Sequence, residues 1–238
     1  MLVVGVLAGA SACSPDVSES DARDGGPAAG AASTPPSPEP EAPVLSAGEW
    51  KVRKVVIEDR VDGLKGPGAG EEVRDLMLRI ARDHTFNERS FVHDGKKGRA
   101  ESTRWMLSAR RDMTADAARD WTSTVKTYFR EKKADGTEAW NDMMSWTTYG
   151  MYDKAMRPTD PTVPLMFDRT VKSLDIDLST DGRVWVTMKT GARFNFVNKG
   201  TPAVSRADRT QEFWLKEVDG QWKVDGWNGT VEFALEKD

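Results

Sequence analysis

The sequence predicts an α+β domain in which helices come first and a curved antiparallel β-sheet follows. Three observations point there. Apolar residues recur at helical spacing between Val73 and Tyr128; they alternate between Leu174 and Leu215; and two pairs, Asp181-Gly182 and Asp219-Gly220, stand between alternating runs. Apolar side chains three and four apart share one face of a helix, whereas strict alternation places them on one face of a strand. Asp-Gly tolerates the positive φ angles of tight hairpins, so each pair marks a reversal of the chain.

The totals narrow the function classes. The chain has 238 residues, a formal net charge of −4 and 30% charged residues. No basic stripe is available to neutralise phosphates, so nucleic acid is not an expected partner. No apolar run reaches the length of a membrane-spanning helix. A single cysteine, Cys13, rules out an internal disulfide and a cysteine-based zinc cluster. Nine tryptophans are many for this length and must be either buried or used at a surface.

Residues 1–13 form the first segment. Leu2 to Ala10 is a short apolar run, followed by Ser11, Ala12 and Cys13, the pattern of a secretory signal with its cleavage zone. Cysteine directly after Ala-Ser-Ala resembles a bacterial lipobox. That resemblance implies that Cys13 becomes the lipidated first residue of the mature protein, held at the membrane by more than one acyl chain. The alternative is a cleaved signal with an unmodified cysteine. Residues 14–48 are rich in Pro, Ala, Gly, Ser, Asp and Glu, a composition that buries too little apolar surface to order itself. This disordered tether would hold the remaining segment, residues 49–238, about 30 Å from its anchor.

Within that single domain, Trp50 to Asp59 is β-branched and predicts a strand at the entrance. Gly63, Gly66, Pro67, Gly68 and Gly70 then break the chain. From Glu71 a helix is expected, with Val73, Leu76, Met77, Ile80 and His84 on one face. His84 is read as a satisfied core or cap histidine. Phe86 to Arg104 is polar, contains Gly95 and Gly98, and reads as a loop. Thr114 caps a second helix carrying Ala117, Trp121, Val125 and Tyr128 on one face. Trp140, Met143, Met144, Thr147 and Met151 fit a third, and Pro158, Pro161 and Pro164 an extended crossing to the sheet.

In the sheet, one face gathers Leu174, Ile176, Leu178, Val184, Val186, Met188, Phe194, Phe196, Phe213, Leu215, Trp222, Val224, Val231, Phe233 and Leu235. A face so apolar needs a cover, and the upstream helices supply it. The other face carries Asp175, Asp177, Arg193, Asn195, Glu212, Lys216, Lys223 and Asp225, and with them Trp185, Trp214 and Trp227. Aromatic anchors among polar groups are how interfaces are built, so these three indoles are the candidate partner surface. The alternative is that bulges shift the alternation or other segments cover the rings.

Helices followed by a sheet that closes with Gln211 to Leu215, Asp219-Gly220 and Trp222 to Val224 resemble the cone-shaped fold of nuclear transport factor 2. Ketosteroid isomerase and SnoaL-like proteins share that fold, and the Mce-associated actinobacterial versions are the most similar. The resemblance implies a non-catalytic binding or accessory module of the cell envelope, lipid-anchored and extracytoplasmic, meeting an envelope protein or a second copy of itself. It also admits a small apolar-ligand or isomerase-like protein, with Trp121, Tyr128, Met188 and Phe194 lining the cone interior. Catalytic members place a carboxylate or a His–Asp pair there. Here the core-facing parity offers Lys172, Arg209, Gln211 and Glu217 toward strand ends, and Asp175 and Asp177 fall outside. His84 and His93, with Asp94, are the remaining acid–base or metal candidates. No phosphate loop or nucleophile motif is present, so no catalytic residue, metal or cofactor is assigned.

Overall fold

The alternating stretch does form the sheet. In the computed structural model, the described residues are 50–87, 89, 95–131, 138–147, 160, 162–198 and 200–236. The signal with Cys13, the tether, His93, Asp94, Met151, Pro158 and Pro161 lie outside them. Strands β3 (Met166–Leu178), β4 (Val184–Asn198), β5 (Thr201–Val218) and β6 (Gln221–Leu235) pair antiparallel in chain order. Leu174 stands opposite Met188, Ile176 opposite Val186, and Val186 opposite Phe213, so the apolar parity stays in phase across strands. Both Asp-Gly pairs sit at reversals. At the second, Asp219 (φ 51°) and Gly220 (φ 71°) both take positive φ between Val218 and its partner Gln221, the tight turn that matches strand twist.

The sheet is mixed, however, and not purely antiparallel. The entrance strand is two short strands, β1 (Lys51–Val52) and β2 (Val55–Ile57), both parallel to β3. Strands of two and three residues leave no period to read. The order is β1-β3-β4-β5-β6 with β2 also on β3, an open curved sheet of six strands among the described residues.

The helices precede most of the sheet and cover one face of it. Helix α1 (Asp59–Lys65) runs straight through Gly63, where a chain break was expected, because Val61 is driven into the core. Helix α2 (Ala69–Ile80) buries Val73, Leu76, Met77 and Ile80 and runs into a π-helical turn, Ala81–Thr85, that carries His84 and Thr85 inward. The expected loop before Arg104 is in part helix α3 (Gly95–Ser108). Its polar, glycine-containing start hides the spacing of Ser102, Trp105, Met106 and Ala109, all buried. Helix α4 (Ala115–Glu131) is capped by Thr114, whose Oγ1 accepts from Ala117 N–H at 3.4 Å. Helix α5 (Glu138–Trp146) buries Met143, Met144 and Trp146.

The apolar side chains fall into two clusters. The larger lies under the helices and includes Trp121, Trp146, Leu174, Val186, Met188 and Phe213. The smaller, at the far end of the sheet, includes Phe86, Met166, Phe194 and Phe196. Leu235 was expected in the core but is 55% exposed, at the end of β6.

Where α5 meets β6 the approach is close: a Cβ on Gly229 would lie 2.5 Å from the backbone oxygen of Ser145. Gly229→Ala is therefore expected to lower unfolding free energy by about 1–3 kcal/mol. Gly63, inside α1, has nothing within 4 Å of the added carbon, and Gly63→Ala should raise it by about 0.5–1 kcal/mol. Urea denaturation of both variants checks the pair of signs.

Candidate functional site

Between the two apolar clusters runs a seam of buried polar side chains. Thr190 on β4 stands directly opposite Arg209 on β5, with Gln211 one step along the inward parity. His84 and Thr85 come in from the π-helical turn and Thr147 from the end of α5; all six are at most 2% exposed. Arg209 and Gln211 thus sit mid-strand, not toward strand ends. Of the other two inward candidates, Lys172 is exposed and pairs with Asp208, and Glu217 is exposed.

The seam is built around the end of α5. The last carbonyls of a helix have no partner within it and carry the negative end of its dipole. Met143 O is taken by Thr147 N–H at 2.9 Å. The next three carbonyls are met from β5. Arg209 Nη1 donates to Met144 O, and Gln211 Nε2 donates to Ser145 O at 3.1 Å and Trp146 O at 3.0 Å. Gln211 Oε1 accepts from Thr85 Oγ1 at 3.2 Å, and Thr147 Oγ1 donates to His84 O at 2.6 Å. The Arg209 guanidinium also lies 6.0 Å from the Phe86 ring centroid, within cation–π range. Burial pulls its pKa down to about 9, which leaves it a cation at neutral pH.

His84 is in the core as expected but is not satisfied. Its ring lies between Trp105 and Trp146, at centroid distances of 5.9 and 6.1 Å. Among the described residues its Nε2 has no hydrogen-bond partner, and neither has Trp146 Nε1 or Thr190 Oγ1. Asp112, the buried acid whose charge pulls most on His84, is engaged by Arg79 at 2.9 Å and Arg111 at 3.3 Å. Desolvation outweighs the pull of Asp112 and Asp83 and lowers the imidazole pKa to about 4. His84 is therefore neutral at pH 7, and among the described residues no acid is hydrogen-bonded to its Nε2.

The residues expected to line an interior space behave as filler. Trp121, Met188 and Phe194 are each 0% exposed, so no gap wide enough for a water molecule borders them. Trp121 Nε1 donates to Met106 O at 2.8 Å. Phe194 belongs to the smaller cluster and Trp121 and Met188 to the larger, while Tyr128 packs at the larger cluster's margin. The four do not share one lining.

On the outer face, Trp185 and Trp214 stand opposite each other on β4 and β5, rings 4.7 Å apart and nearly perpendicular at 80°. Both are half-buried. Across from Trp214 is Gly226, whose missing side chain leaves room for the indole: a Cβ there would lie 3.2 Å from the ring. Asp177 stands opposite Trp185, and Glu212 opposite Thr187, on the same face. Burial, then Glu58 and Asp175, push the Asp177 carboxyl pKa up, the mark of a crowded acidic margin.

Trp227 does not join them. The ladder pairs Leu215 with Val224 but Trp214 with Gly226, so Asp225 is an inserted residue and the alternation reverses there. Trp227 consequently faces inward, 5.1 Å from Trp146 and 5.8 Å from Trp121, and donates to Ser145 Oγ at 3.0 Å. The expected triad of indoles is a pair. The signal was present: Val224 and Val231 share a face although their numbers differ in parity, which requires one inserted residue between them.

Among the described residues no helix is long and apolar enough to cross a membrane, and no group of three or more His, Cys, Asp or Glu is placed to hold a metal ion. Against family models, characterised proteins and solved structures, nothing matches this chain.

The depressed His84 pKa fixes a pH dependence. The unfolded chain takes up the proton near pH 6.5, the folded one near 4. The stability that neutral His84 confers is complete above 6.5 and lost as pH falls toward 4, on the order of 3 kcal/mol in all. Urea denaturation between pH 7.5 and 4 should show a fall that His84→Leu flattens; parallel curves for the two proteins would contradict the burial of an unpaired imidazole.

Proposed function

We propose that the chain is a lipid-anchored, extracytoplasmic module of the cell envelope that works by binding a protein partner and not by catalysis. In this proposal its domain is of the nuclear-transport-factor-2-like class, Cys13 holds it at the membrane, and residues 14–48 are the leash. The observation that carries the proposal is the Trp185–Trp214 pair, two large indoles left half-exposed on a charged sheet face, whereas Trp121, Met188 and Phe194 on the inner side are fully buried. Aromatic pairs of this kind present much apolar area at little entropic cost. Asp175, Asp177 and Glu212 share the rim of the pair with Arg183 and Lys216, so the partner expected here presents an apolar centre within a rim of both charges.

A second reading, a small apolar-ligand or isomerase-like protein using the interior, has one observation in its favour, the Nε2 of inward-facing His84, which has no hydrogen-bond partner among the described residues. Against it, Trp121, Met188 and Phe194 leave no space beside them.

The double variant Trp185→Ala/Trp214→Ala should remain folded, losing about 1 kcal/mol for the ring pair, and should lose capture of its partner from envelope extracts. Trp227→Ala should instead be destabilised by about 2–4 kcal/mol and, while folded, keep the capture. Equal capture by the double variant and the wild type would remove the surface from consideration. Separately, Cys13→Ala should move the full chain from the membrane to the soluble fraction, and its retention at the membrane would end the lipoprotein proposal.

A further inference from the structure

A sheet edge exposes a row of backbone N–H and C=O groups, and the two edges here are treated very differently. On the β1 and β2 side the edge is broken into Lys51–Val52 and Val55–Ile57, with Arg53 and Lys54 between them. Short, charged and interrupted, it is a poor template. The β6 edge is long. Its beginning is covered, since Thr114 N–H donates to Val224 O at 2.8 Å and Lys223 Nζ to Arg111 O at 2.7 Å. Beyond the bulge at Asp225 no strand pairs with it among the described residues.

The phase of the ladder says which groups are free. Glu236 N–H donates to Val204 O at 2.9 Å, and Leu235 stands opposite Ser205. In an antiparallel pair, residues that bond to the neighbour alternate with residues that turn away. The even-numbered residues of β6 therefore bond to β5, and Trp227, Gly229, Val231, Phe233 and Leu235 turn their backbone groups outward. Gly229 N–H is met by Asn228 Oδ1 at 2.8 Å. The same odd residues carry the inward side chains, of which Val231 and Phe233 are half-buried and Leu235 is 55% exposed. From Gly226 to Leu235 the one charged residue is Glu232.

We propose that this edge is a homodimer interface, in which two copies pair β6 to β6 antiparallel about a two-fold axis at Val231. Such a contact must be self-complementary, and this segment is. Odd residues meet odd residues, which is what the free backbone groups require. Val231 meets its own copy, and exposed Leu235 meets Trp227 of the second copy. On the outer face Glu232 meets Thr230 of the second copy, so the one charge never opposes itself. The two sheets become one, with no edge left between them.

This interface is separate from Trp185 and Trp214, so its failure and theirs are distinguishable. The test uses the full chain with Cys13→Ser, which removes both the lipid and the native thiol. Sedimentation equilibrium should show a concentration-dependent dimer. Val231→Pro, which removes an outward N–H and leaves the β5 ladder bonded, should be monomeric with an unchanged circular dichroism spectrum. Val231→Cys in the same background should cross-link under mild oxidation at least about tenfold more than Leu64→Cys, placed at an exposed position on α1. If Val231→Pro does not fold, the cross-link decides alone. A chain that stays monomeric, or Val231→Cys linking no better than Leu64→Cys, overturns the interface.

Discussion

The buried guanidinium of Arg209 is the constraint from which the packing of helices on this sheet follows. A cation taken out of water needs acceptors, and neighbouring strand carbonyls are already bonded in their ladders. A helix end is the one local source of spare carbonyls. Helix α5 must therefore terminate over the middle of β5, where Arg209 and Gln211 together meet Met144, Ser145 and Trp146. That placement sets much else. It seats Trp146 against His84, Trp121, Phe213 and Trp227. It also brings Ser145 so close to β6 that only glycine fits at position 229.

The seam's described polar groups are mostly given over to holding α5. Arg209 and Gln211, the polar groups best placed to bind a ligand, are engaged with backbone. His84 is neutral and hemmed in by two indoles. What stays accessible is on the outside, where two tryptophans are half-exposed among charges of both signs, and along β6, whose second half pairs with no further strand among the described residues. The contacts that hold α5 on the sheet are thus the same ones that direct the functional proposal outward.

Much of this was legible locally. Alternation from Leu174 to Met188 and the Asp219-Gly220 turn need only neighbouring residues, and so do the spacing of α2 and the Thr114 cap of α4. What escaped was set at long range. The bulge that turns Trp227 inward lies beside Val224, where Met113 and Thr114 dock from far away in sequence. The inward parity of Arg209 and Gln211 could be read, but their partners on α5 could not, since nothing in a strand's pattern names the helix that will end above it. The start of helix α3 reads as a loop because its glycines and charges come first and its apolar spacing last.

Amide hydrogen exchange across α5 in the full chain carrying Arg209→Met tests the clamp most directly. Loss of the clamp should speed exchange of the α5 amides by at least about tenfold, equivalent to about 1.4 kcal/mol of local opening, relative to those of β4 and β5. Should α5 stay as protected as in the unaltered chain, with β4 and β5 unchanged, Arg209 does not hold the helix and the interior is organised by something else.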